Sequence, residues 1–101
     1  MAMLAAPPVR LTVDKHFGFA PLDIRARLLI APHEDTRSAC VVVDGPLRTD
    51  SSCFPHTKDD LSERVVQFKR LPAGGYTLWA EVRRKDGSTV ASAPVTVDVQ
   101  E

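Results

Sequence analysis

The stretch Leu22–Ile30, LDIRARLLI, alternates with a period of two: Leu22, Ile24, Ala26, Leu28 and Ile30 stand against Asp23, Arg25 and Arg27. Successive strand side chains point to opposite faces, so such a run has one face on a core and one in water. The same apolar residues on a helix would be spread around its circumference. Strands of this kind recur along the chain. Val9–Val13, Arg64–Arg70, Tyr76–Arg84 and Ser88–Val99 carry strand patterns, and Ala39–Asp44 is a short β-branched run. Between them lie turn signals at Gly18–Pro21, Gly45–Asp50 and Leu71–Gly75, and at the Asp86-Gly87 pair favoured in two-residue hairpins. Pro94 interrupts the last segment and cannot donate a ladder hydrogen bond, which calls for an edge, a bulge or a change of sheet there. Only Thr57–Phe68 offers a helical spacing, and its end is β-branched and aromatic. That end reads better as a strand, with room for one helical turn near Asp59–Glu63 that Thr57 could cap. The expected fold is all-β: a seven-stranded antiparallel sandwich.

A chain of 101 residues, 44% of them hydrophobic, is one domain with enough apolar side chains for its own core. Residues 9–101 are assigned to it, and residues 1–8 to a leader remnant or tail. Lys plus Arg is 13 and Asp plus Glu is 13, so the net charge is zero. Nucleic-acid binding is not expected, because phosphate neutralisation calls for a basic surplus. No apolar run approaches the ~20 residues of a membrane-spanning helix, so no transmembrane segment is expected.

Three segments carry a family resemblance: GFAPLDIRARLLI (18–30), FKRLPAGGYTLWAEV (68–82) and DGSTVASAPVTVDV (86–99). Together they resemble bacterial extracellular immunoglobulin-like domains of the PKD and fibronectin type III kinds. The resemblance implies an immunoglobulin-like sandwich and places Tyr76 at the tyrosine corner, where the hydroxyl bonds back to nearby backbone. ACVVVD lacks the Trp of the PKD third strand, and Cys40 and Cys53 lack antibody-type spacing.

If Ala39–Asp44 and the segment around SSCF form a hairpin centred on Pro46 and Leu47, Cys40 falls opposite Cys53. Opposed residues across two strands have Cβ atoms ~4.5–5.5 Å apart, close to disulfide reach. The pair is then one disulfide and the compartment is oxidising, periplasmic or extracellular; the alternative is two reduced cysteines.

The tryptophan raises the functional question. In YTLWAEVRR the inward set is Tyr76, Leu78, Ala80 and Val82, which turns Thr77, Trp79, Glu81 and Arg83 outward. The opposite register would bury Glu81 and Arg83, far costlier than exposing an indole. With Val41 and Val43 of the neighbouring strand, these residues form an expected binding face; the alternative is a loop folded over the indole. The expected function is a non-enzymatic exported module that contacts a partner protein or a second copy, or spaces other domains. Carbohydrate stacking on Trp79 and metal binding are the alternatives. Asp14, His16, His33, Glu34 and Asp35 are candidate ligands, and Asp59, Asp60 and Glu63 are candidate calcium oxygens. None has the spacing of a dedicated zinc or calcium site, so no metal and no cofactor are expected. No catalytic residue is assigned, since the chain has no nucleophile elbow and no local Cys–His motif.

Overall fold

The computed structural model describes residues 8–101. Met1–Pro7 of the expected leader or tail lie outside the described residues. Nine strands follow one another: β1 (Val9–Val13), β2 (Phe17–Phe19), β3 (Leu22–Ile30), β4 (Thr36–Asp44), β5 (Thr49–Pro55), β6 (Glu63–Leu71), β7 (Gly74–Arg84), β8 (Thr89–Ala91) and β9 (Val95–Gln100). They form two sheets. The smaller has the order β1-β3-β6; the larger has the order β2-β9-β7-β4-β5, with β8 also on β7. All pairings are antiparallel except β2 with β9. No helix occurs among the described residues. The protein is therefore an all-β sandwich whose strand order is compatible with an immunoglobulin-like domain.

The alternation builds the core. On β3, Leu22, Ile24, Ala26, Leu28 and Ile30 are all buried and Arg25 and Arg27 are exposed. Facing them across the sandwich are Tyr76, Leu78, Ala80 and Val82 of β7 and Val97 and Val99 of β9. Val9 and Leu11 of β1, Ala39, Val41 and Val43 of β4, and Phe68 and Leu71 of β6 complete the core, in which each large side chain withdrawn from water contributes roughly 1.5–3 kcal/mol.

Nine strands replace the expected seven for two local reasons. Gly18–Pro21 is not simply a turn: Phe17–Phe19 lie parallel to Asp98–Gln100. The inward position opposite Val99 is Gly18, where a Cβ would come within 2.6 Å of the Leu22 side chain. The last strand is split around Pro94, yet both pieces stay on β7, so the proline makes a break and not a change of sheet. Ser92 bridges the break: its amide donates to Ala80 O, and its hydroxyl accepts the Ala80 amide at 2.9 Å.

The Asp86-Gly87 hairpin also differs. Lys85–Gly87 form the loop, the Gly87 amide donates to Arg84 O, and Gly87 alone has positive φ, at 88°. This is a three-residue loop in which glycine takes the left-handed position. Near residue 59 there is a single hydrogen-bonded turn, Asp60 N to Thr57 O, in place of a helical turn.

The β6 strand holds a bulge between Phe68 and Leu71, with Arg70 at φ 59°. A non-glycine residue in this region needs outside support. The Asp23 carboxylate accepts the Arg70 amide at 2.8 Å, and the Arg48 guanidinium donates to Lys69 O at 2.7 Å. Asp23 and Arg48 thus hold the bulge from two different strands or turns.

Candidate functional site

The outer face of the larger sheet brings most of the expected site residues together. Trp79 is half-buried and points outward, between Thr77 and Glu81 on the same strand. Its indole Nε1 donates to Glu81 Oε1 at 2.9 Å, which fixes the ring along β7. Arg83 follows, exposed, at the next outward position.

Val41 and Val43 do not belong to this face. Both are fully buried, paired with Ala80 and Leu78 on the core side. Val42 takes the outward place, directly beside Trp79 on one side and Ser51 on the other. Apolar residues occupy both faces of ACVVVD, so alternation alone does not say which valines face inward. The pairing with β7 decides it.

Cys40 and Cys53 form a disulfide, with Cα atoms 4.0 Å apart. The register Cys40↔Cys53 runs through the hairpin to Asp44↔Thr49, closed by the Gly45 amide on Arg48 O. The bridge lies on the outward face, half-buried at Cys40 and exposed at Cys53. It ties the outermost strand of the larger sheet to its neighbour. A stable disulfide fits an oxidising, non-cytoplasmic environment.

Tyr76 is 2% exposed, and its hydroxyl donates to Pro72 O at 2.6 Å. Burial pushes the phenol's pKa upward, so it stays a neutral donor throughout the physiological range. The ring lies against Gly45, where an added Cβ would sit 2.5 Å from ring carbons. The hydroxyl is a structural anchor for the corner before β7.

The expected metal-ligand candidates are dispersed. Asp14 accepts the Arg25 amide at 2.8 Å, beside the middle of β3. His33 lies beyond the far end of that strand, where its Nδ1 accepts the Asp35 amide. His16 Nδ1 meets Thr96 O at 3.0 Å on the other sheet. Among the described residues no three His, Cys, Asp or Glu side chains form a group able to hold a metal ion. His56, which the sequence places in a polar loop, is 2% exposed; the end of β5 turns it inward beside Phe54.

Several carboxylates are held by short local donors. The Thr57 amide lowers the pKa of Asp60, the Ser88 hydroxyl that of Asp86, and the Arg27 guanidinium that of Glu63. Groups depressed in the folded state add stability above the ordinary carboxylate range and lose it as pH falls through their folded values. The melting temperature is therefore expected to fall steadily below about pH 4, as thermal scans across pH will show.

One neighbouring feature has no signal in the sequence. Arg64, exposed at the start of β6, holds its guanidinium 3.9 Å from the centre of the Phe54 ring. It closes the gap between the outer strands of the two sheets with a cation–π contact.

Neither protein-family models nor curated proteins give a match to this sequence. Among the described residues no helix is long and apolar enough to cross a membrane.

Proposed function

We propose that this chain is a non-enzymatic, exported immunoglobulin-like module of the PKD or fibronectin type III kind, and that it works by contacting another protein, or a second copy of itself, through the outer face of the larger sheet. The observation that supports this reading is Trp79 beside Val42 on a solvent-facing sheet surface, rimmed by Thr77, Glu81 and Arg83. An aromatic anchor with a polar rim is the usual composition of a contact surface. The disulfide favours a periplasmic or extracellular setting. A spacer role would use the same rigid scaffold without the face. Carbohydrate stacking on Trp79 has less support, because Glu81 already takes the indole N–H and Val42 flanks the ring.

The test replaces Trp79 by Thr, a residue suited to an outward strand position. If the indole serves contact, the wild type sediments in a concentration-dependent way, and Trp79→Thr removes that dependence while shifting the unfolding free energy by less than about 1 kcal/mol. A loss of roughly 3–5 kcal/mol, the scale of deleting a packed aromatic, would instead make Trp79 a structural residue and refute the contact reading.

A further inference from the structure

The zero net charge of the chain hides an uneven distribution. At one end of the same outer face, a shallow groove of about 630 Å³ runs between Arg37, Arg83, Arg84 and Lys85. No acidic residue lines it. None of these four cations makes an ion pair among the described residues, where the ion pairs are Arg27–Glu63 and Arg48–Asp50. Arg84 Nε is buried and has no hydrogen-bond partner. Two nearby acids are engaged elsewhere, Asp86 by the Ser88 amide and hydroxyl and Glu81 by the Trp79 indole, while Asp35 adjoins the cluster through its backbone oxygen on the Lys85 amide. Asp86 lies within electrostatic reach of Arg84, yet the cluster keeps an excess of positive charge, and an arriving anion relieves its self-repulsion.

The way the strands end produces this cluster. A bulge between Thr36 and Ser38 puts Arg37 out of the regular alternation, next to the Arg83–Arg84 end of β7. The three-residue loop then adds Lys85 on the same side. A second depression of about 240 Å³ shares Ser38, Cys53 and Arg83 with the first and continues it past the disulfide toward Glu81.

We infer that this groove binds an extended acidic peptide segment of a partner protein. The inference rests on reading this face as a protein-contact surface and adds the chemistry of what it selects. Guanidinium forks suit carboxylates in pairs. The groove is too shallow to enclose most of a small molecule's surface. Its floor is apolar, made by Phe54, Pro55 and the disulfide sulfur of Cys53. A base or sugar ring would need an open aromatic face to stack on, whereas Arg64 already lies over the Phe54 ring. The outer edge of β5 has no strand beside it among the described residues, so its backbone is open to hydrogen bonds from an arriving peptide. An added strand would lie about 10 Å from β4, within the combined reach of a glutamate and Arg37.

Fluorescence anisotropy with a labelled peptide of about ten residues, alternating Glu and Val, tests this. The wild-type chain binds it, and binding weakens at least about tenfold when Gln replaces Glu. The double variant Arg37→Gln/Arg83→Gln loses about tenfold as well, and Lys85→Gln loses less; all three positions are exposed, and thermal melts establish that the variants fold. Lys69→Gln, an exposed charge on the smaller sheet and outside the groove, keeps peptide affinity within about twofold. Absence of binding, or equal binding by the double variant, overturns the inference. Displacement of the peptide by inorganic polyphosphate at equal charge concentration also overturns it, by showing a general polyanion site. Self-association lost in Trp79→Thr with no peptide binding by the wild type would leave the contact face standing and remove only the acidic ligand. Peptide binding with no effect of Trp79→Thr on sedimentation would do the reverse.

Discussion

Reduction of the Cys40–Cys53 bridge is expected to lower the unfolding free energy by roughly 3 kcal/mol, the chain-entropy value for a closed loop of this length. For a domain of this size that corresponds to a fall in melting temperature of roughly 10–20 °C. β5 is the outermost strand of its sheet and has β4 as its one strand neighbour among the described residues. Its inward positions, Asp50, Ser52 and Phe54, are only half-buried. A strand with so little apolar burial depends on its ladder and on the bridge. Cys53 is exposed, so a mild reductant reaches the sulfur without prior unfolding. Dithiothreitol on the wild type and the double variant Cys40→Ala/Cys53→Ala should give matching melts. An unchanged melting temperature in both would show that the bridge adds nothing to the stability of the hairpin.

The second large effect is expected at Tyr76. Tyr76→Ala should cost about 3–5 kcal/mol, because a buried aromatic ring leaves a cavity between the sheets. Tyr76→Phe keeps the ring and loses only the bond to Pro72 O, for about 0.5–1.5 kcal/mol. The gap between the two variants separates packing from anchoring. Gly45→Ala approaches the same ring from the other side and is expected to cost about 1–3 kcal/mol, since a Cβ there meets aromatic carbons that have no rotamer to retreat into. Chemical denaturation of the three variants checks the order. Similar costs for Phe and Ala at position 76 would mean that the hydroxyl, and not the ring, carries the corner.

Much of this architecture is legible in the residues, and what is not has two physical causes. The Leu22–Ile30 alternation and the inward set of β7 are readable because one face is wholly apolar and the other charged. The cysteine register follows from counting outward from Pro46 and Leu47, and the same count places Asp44 opposite Thr49. Where both faces are apolar, as in Ala39–Asp44, the sequence is silent, and Val42 stands where Val41 and Val43 were expected. β2 is invisible because three residues with a central glycine carry no period. The bulges at Arg37 and Arg70 escape for a different reason: each is stabilised by partners far away in the chain, as Asp23 and Arg48 show for Arg70. The basic groove depends on the Arg37 bulge and on a hairpin loop one residue longer than expected. Composition, which balances to zero, conceals it.

The functional account stands on the outer face of the larger sheet being open, with Trp79 and Val42 in contact with solvent and not roofed by a loop. Paramagnetic relaxation by a soluble gadolinium chelate, read on methyl-labelled valines and on the indole N–H, measures this directly. The account requires strong broadening of Val42 methyls and the Trp79 indole, while Val41 and Val43 stay sharp in the core. Shielding of Val42 and Trp79 to the level of Val41 and Val43 would contradict it.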